Sequence, residues 1–448
     1  LTLIMQSTLI TREIVNKNII FDKTHNYNDL CTQVDKYKNL LTKKYNVSKG
    51  DTIMNALKGY DATALFIASS ELGMITIVAS VTSYSKRLYY KKDRGWIDAK
   101  TLCVMPINYI VTANKKSIIE LSDDDTGKGS EEKFYTDISH NHIDIDEVNQ
   151  WVDTEPNNII NATPDSVLML CTSSGTTGSP KKIQHTHDFM CRLGKRNSHM
   201  FYGSVVTTRK FMHGSSFATF FLPTLMSDDV TDIRASGRHT QTLDDVDHVQ
   251  FPYTEDIEQF INGDINFPKL NVYTLAAIRP EWKNGKVKNI ISLYGMSETS
   301  GPVMINTLND DNFAPNKFYP IDNFYKLEIK DGLLCVDDLQ TSDKFSREGN
   351  RYVFYGRDDL IRINDVEVPV QEYQSYIGNG TLVIDFLYNK IYLAMWDESI
   401  DIDKVQSKFD RRHVISKSAV LTKPMFMSGI KLDIQALREY FRSDTILS

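Results

Sequence analysis

An apolar run at residues 166–170 leads without interruption into Thr172-Ser173-Ser174-Gly175-Thr176-Thr177-Gly178-Ser179-Pro180-Lys181. Such a junction constrains the fold strongly, because a buried strand must deliver hydroxyls, glycines and a lysine to one place, with a helix expected beyond. Glycines let backbone N–H groups approach oxygens closely, hydroxyls donate hydrogen bonds, and the lysine adds positive charge. The set therefore suits a polyphosphate. Composition alone also fits a plain Ser/Gly surface loop. A Walker A loop does not fit: Pro180 stands where that motif needs its second glycine, and Lys181 is followed by Lys182 instead of a hydroxyl that could hold magnesium.

Around this loop the chain alternates helical and strand patterns. Leu30, Val34, Tyr37, Leu40 and Leu41 recur at helical spacing across residues 27–45. A Gly50-Asp51 turn, a short strand at 52–54, a small-residue helix at 61–74 and an apolar strand-like run at 75–81 follow. This order implies an α/β architecture with mostly parallel strands. Residues 122–132 are acidic and read as a solvated loop, and residues 153–165, with two prolines and several asparagines, read as a linker. A second break at 356–359 leaves residues 357–448 as a small α+β domain behind a large lobe at 1–356.

The net charge of −7, with both signs interspersed, argues against a nucleic-acid partner, which calls for a concentrated basic face. The apolar stretch at 63–81 is broken by Glu71 and by Ser and Gly, so no membrane span is expected. Residues 1–10 lack the charged and apolar regions of a secretory signal. Five cysteines without a C-x-x-C pair suit a reducing compartment, so the expected location is the cytoplasm.

Ser174 to Lys181 resembles the Ser-Gly-Thr-Thr-Gly-x-Pro-Lys signature of the adenylate-forming superfamily, which includes acyl-CoA synthetases, luciferases and peptide-synthetase adenylation domains. His185-Thr186-His187 is similar to its continuation, while Lys182 replaces the usual glycine. Further blocks follow in the family's order. Phe211-Met212-His213-Gly214 resembles the segment beside the carboxylate substrate, and Leu275-Ala276-Ala277 the one bordering adenine and the acyl pocket. Tyr294-Gly295-Met296-Ser297-Glu298 resembles Tyr-Gly-x-Thr-Glu, and Thr341-Ser342-Asp343 resembles Thr-Gly-Asp. Gly356-Arg357-Asp358-Asp359-Leu360-Ile361 is similar to the hinge block, one residue shorter, and Ser428-Gly429-Ile430-Lys431-Leu432-Asp433 to the terminal Gly-Lys-x-Asp.

The resemblance covers nearly the whole chain from Tyr27 and implies a large lobe of parallel-rich sheets with flanking helices plus a small, mobile C-terminal domain. It implies an AMP-forming acid–thiol ligase that joins a carboxylic acid to AMP with release of pyrophosphate. The acyl group then goes to a thiol acceptor, most simply coenzyme A. Thr172, Ser173, Ser174, Gly175, Thr176, Thr177, Gly178 and Lys181 would hold the phosphates. Tyr294, Gly295, Ala276 and Ala277 would meet adenine, Asp343 the ribose hydroxyls, and Arg357 ribose or phosphate. Ser297 would reach the α-phosphate, Glu298 would hold Mg²⁺, His213 would stand by the acid, and Lys431 would contact the reacting carboxylate. Either Asp358 or Asp359 would be the hinge. Asp365 falls where the family has a glycine that the acceptor arm passes, which keeps a carrier-protein thiol or an amine open as acceptor. With Lys182, Ser342 and Ile430 it also keeps open a nucleotide-binding homologue without catalysis.

Overall fold

The computed structural model describes residues 9–55, 57, 59–78, 87–89, 96–98, 108–112, 141–173, 181–207, 216–235, 245–250, 257, 270–274, 278, 282, 287, 289–311, 313–357, 360–363, 366–369, 373, 377, 380–385, 390–396, 398–409, 413–421, 427–428, 431–432 and 434–443. The acidic segment at 122–132 lies outside them.

The helix Tyr27–Asn39 opens with a capping box in which Asn26 and Asp29 satisfy each other's backbone N–H groups, and it runs into a wider π-helical turn at Leu40–Lys44. Leu30, Val34, Tyr37, Leu40 and Leu41 are all buried, as the helical spacing predicts. The second helix, Gly59–Glu71, starts and ends slightly earlier than the sequence suggests and has almost no exposed face. Burial all round is what a small-residue helix permits. Phe66 meets Phe217 and Phe221 of the Phe217–Phe221 segment, with ring centroids 5.0 and 6.1 Å apart.

Two sheets form around these helices. Among the described residues the smaller has six strands, in the order Lys181–Thr186, Val167–Ser173, Ile75–Val78, Thr52–Asn55, Tyr109–Thr112 and Asn141–Asp144, parallel except for its first pair. The larger has thirteen strands among the described residues. Its parallel part runs from Ile20–Phe21 through Val230–Ala235, Gly203–Thr207, His248–Gln250 and Asn271–Thr274 to Asn289–Gly295. From there an antiparallel meander continues through Pro302–Thr307, Lys317–Pro320, Arg351–Arg357 and Leu339–Glu348. The architecture is α/β with a parallel-rich lobe, and the meander is an antiparallel half that the helix–strand alternation does not announce.

Beyond residue 380, the strands Gly380–Asp385, Lys390–Met395 and Ile415–Val420 make a separate sheet. Val383, Tyr392 and Ala394 pack on Leu437 and Phe441 of the helix Ile434–Ser443.

Residues 151–163 carry no helix or strand, as a linker would, yet they are strapped to the first helix. Asn39 Nδ2 donates to the Glu155 carbonyl at 2.8 Å, and Lys38 Nζ to the Asn157 carbonyl at 2.6 Å. The asparagines and carbonyls of this segment answer polar groups that the helix would otherwise bury alone.

Candidate nucleotide site

The strand Val167–Ser173 pairs antiparallel with Lys181–Thr186, so Ser173 stands opposite Lys181 and Thr172 opposite Lys182. The two described flanks of the hydroxyl and glycine run, Ser173 and Lys181, therefore face each other at the connected end of this hairpin. This corrects the expectation of a helix directly after the loop: the strand Lys181–Thr186 comes first, and the helix His187–Ser198 starts only where Thr186 Oγ1 accepts from the Phe189 N–H at 3.3 Å. Ser174, Gly175, Thr176, Thr177 and Gly178 lie outside the described residues, as do the side chains of Thr172, Ser173 and Lys181.

The second motif sits at the end of the strand Asn289–Gly295 and in the turn that follows. Gly295 is needed there because the returning backbone comes close: a Cβ would stand 2.4 Å from the Gly301 carbonyl oxygen. Thr299 Oγ1 accepts from the Met296 N–H at 3.2 Å and donates to the Gly301 carbonyl at 2.8 Å, while Tyr325 Oη donates to the Thr299 carbonyl at 2.7 Å. Ser300 takes a left-handed conformation, φ 54°. Ser297 and Glu298 are half-buried in this turn.

The two motifs meet at the Ser297 carbonyl, with His185 Nε2 at 3.0 Å and Cys171 Sγ at 3.8 Å. Burial, helped by the charge of Glu298, pushes the Cys171 thiol up to about 12, so it remains a protonated donor. Burial also lowers the His185 imidazole below its ordinary range, against the opposing effect of the Ser297 carbonyl. Neither contact is foreseen by the motif reading, in which His185 is only part of the loop's continuation.

Tyr294 and Asp343 are brought together as well. The Tyr294 hydroxyl donates to Asp343 Oδ2, and Asp343 is 2% exposed. The Tyr294 ring packs edge-on against Phe345, centroids 5.1 Å apart, and tilted against Phe318 and Phe354. Asp343 in turn stands opposite Arg357 across two neighbouring strands, although the Arg357 side chain lies outside the described residues. Lys431 lies in the short hairpin of Met427–Ser428 and Lys431–Leu432, just before the helix Ile434–Ser443; its side chain is outside the described residues. His213, Ala276 and Ala277, with Asp358, Asp359 and Asp365, also fall outside.

Residues 12–229 match the model of the AMP-binding enzyme family. Comparison with curated protein sequences gives no match. Among solved structures, o-succinylbenzoate CoA synthetase from Bacillus subtilis is similar at a TM-score of 0.65 and 14% identity, over 95% of this chain and 96% of that one. An amide bond synthetase from Marinactinospora thermotolerans is similar at 0.64 and 13%, over 93% and 95%. A fatty acyl CoA synthetase from Mycobacterium tuberculosis is similar at 0.59 and 12%, over 94% and 93%.

Proposed function

We propose that the chain is an adenylate-forming, AMP-binding enzyme that activates a carboxylic acid as an acyl-AMP, a reading that the family match over residues 12–229 and the similar folds of the solved structures support. An oxygen of the acid attacks the α-phosphorus of ATP, the bond to the β-phosphate breaks, and pyrophosphate leaves. The acyl group then passes to a thiol, coenzyme A being the simplest acceptor.

The observation that carries this reading is the meeting of the phosphate-loop hairpin with the Tyr294 to Glu298 turn at one carbonyl, Ser297. The residues suit the groups assigned to them. Asp343 is a buried carboxylate beside an aromatic ring, and an ionised carboxylate only accepts, which matches a vicinal diol. Glu298 offers the hard oxygen donor that Mg²⁺ takes, and a Mg²⁺ ion held there would offset the repulsion between the polyphosphate and the incoming carboxylate. Residues 172–178 and Lys181 would hold the departing pyrophosphate, and Ser297 the α-phosphate. Arg357 would contact ribose or phosphate, Ala276 and Ala277 would border adenine, and His213 would border the acid. Lys431, carried by a small C-terminal domain at 357–448, would supply positive charge where negative charge develops. Cys31, Cys171, Cys191 and Cys335 form no disulfide among the described residues, which supports a reducing, cytoplasmic setting.

The test is ATP–pyrophosphate exchange with purified protein across fatty, aromatic and amino acids. Exchange with one class is expected, after which coenzyme A, a carrier-protein thiol and an amine are offered to the adenylate in turn. Silence across the panel with ATP binding intact would replace this reading with a nucleotide-binding protein that does not catalyse.

A further inference from the structure

The Ser297 carbonyl can only accept, so the His185 nitrogen 3.0 Å away must carry the ring proton. Burial favours the neutral ring, which leaves the Nε2–H tautomer as the donor. The ring is 5% exposed and stacks on Phe189, centroids 5.2 Å apart and planes at 16°. Its position is therefore set before any ligand arrives. Cys171 Sγ, at 3.8 Å from the same oxygen, is a weak donor that cannot stand in for it.

The placement matters because of what each end carries. His185 sits on the same strand as Lys181, whose partner across the hairpin is Ser173. The Ser297 carbonyl sits in the turn that carries the Ser297 hydroxyl and Glu298, a turn with a left-handed residue at Ser300. One hydrogen bond thus ties the root of the phosphate loop to the groups meant for the α-phosphate and the metal. Transfer between two anions depends on such alignment, and small misplacements cost rate more than binding.

We infer that His185 is a positioning residue for adenylation, holding the Ser297 to Glu298 turn in register with the paired strands Val167–Ser173 and Lys181–Thr186 through its Nε2–H. This rests on the proposed function of the same site, so the experiment has an arm that does not. His185→Leu removes the donor at similar volume, and His185→Gln returns an amide N–H near the place of Nε2. In the full chain, both are compared with wild type for acid-dependent ATP–pyrophosphate exchange and, without substrates, for backbone amide hydrogen exchange over residues 294–301.

The Leu variant is expected to lose about 10-fold or more in kcat with ATP KM within about 3-fold, and to exchange turn amides about 10-fold faster. The Gln variant should return both to within about 3-fold of wild type. A Leu variant equal to wild type in amide exchange overturns the inference. So do Leu and Gln variants equally impaired, since packing on Phe189 would then be the whole effect. If the Leu variant does not fold, His185→Phe, which keeps the stack without the donor, makes the same comparison. If wild type exchanges pyrophosphate with no acid, the adenylation reading fails, while the amide arm still decides whether His185 holds the turn.

Discussion

The hydroxyl of Tyr294 donates to the carboxylate of Asp343, joining residues 49 positions apart in sequence. A hydrogen bond to a charged acceptor contributes about 1.5–3 kcal/mol, and its loss leaves a buried carboxylate underserved. Tyr294→Phe should therefore weaken AMP binding about 10-fold while keeping the ring. Asp343→Ala should weaken it further and abolish discrimination between ATP and 2′-deoxy-ATP. Calorimetric titration of both variants checks this, and an unchanged Kd for Tyr294→Phe would mean the hydroxyl has no part in shaping the nucleoside site.

Gly295 has a different constraint, since a Cβ there would also stand 3.0 Å from the Gly301 carbonyl carbon and 3.1 Å from Pro302 Cα. All three are backbone atoms, which cannot swing aside as a side chain would. Gly295→Ala should destabilise the fold by about 1–3 kcal/mol and displace the turn bearing Glu298. Pyrophosphate exchange is expected to fall more than the folded fraction does. Equal losses in both would limit the glycine to a structural role.

What is legible in the sequence differs by residue, and so do the reasons. The run at 172–181 stands out by its order, because composition alone would also fit a plain surface loop while the Ser-Gly-Thr-Thr-Gly-x-Pro-Lys pattern from Ser174 to Lys181 is long and specific. The first helix is legible because its buried residues keep helical period. The strand Lys181–Thr186 is not: only Ile183 is apolar in Lys-Lys-Ile-Gln-His-Thr, and the ladder to Val167–Ser173 holds it in place of any pattern. Part of the antiparallel meander does carry a signal. Asp331 and Gly332, at φ 52° and 77°, form the two-residue loop between the paired Lys330 and Leu333, and Asp-Gly is a strong hairpin indicator. The contacts of His185 with Ser297 and of Tyr294 with Asp343 have no local signature, because each depends on two strands meeting far apart in the chain.

The terminal helix bears on Lys431. Arg442 makes two 2.7 Å bonds to Asp385, and Arg438 Nε donates to the Ile384 carbonyl at 2.7 Å. The hairpin carrying Lys431 therefore precedes a helix fixed to its sheet. Lys431→Ala should lower acid-dependent exchange by ~10²–10³-fold, the scale of losing one electrostatic stabiliser, with the unfolding midpoint unchanged. Activity matching wild type would remove Lys431 from the site.

Glu71 is 2% exposed and Lys38 1%. Glu71 accepts from Lys38 at 2.7 Å and from Arg12 at 2.9 and 3.0 Å, and Arg12 also reaches Asp35 at 2.8 Å. Burial pushes the Glu71 carboxyl up, yet its bonds to Arg12 and Lys38 outweigh that and hold it below the usual range. Glu71→Leu leaves the buried Lys38 without its carboxylate and Arg12 with Asp35 alone, and should cost about 3–5 kcal/mol, read from urea unfolding. A loss under about 1 kcal/mol would show that water reaches the cluster.

Acid sensitivity follows from His187 and His248, 0% and 1% exposed. His187 Nδ1 accepts from the Ile10 N–H at 3.2 Å and His248 Nε2 from the Tyr202 N–H at 3.3 Å, so each accepting nitrogen is unprotonated. Burial lowers both rings from 6.5 to about 4. Below the unfolded value the unfolded chain takes up protons that the folded chain refuses, so stability falls as pH drops from about 6.5 towards 4. Between pH 7 and 4.5 each ring should contribute roughly 2 kcal/mol of that loss. His187→Asn with His248→Gln keeps an acceptor at each site but cannot titrate. Urea unfolding of this double variant should show a fall over the same pH interval smaller by roughly 4 kcal/mol than that of wild type. Parallel curves for the two proteins would place the acid sensitivity in the carboxylates instead.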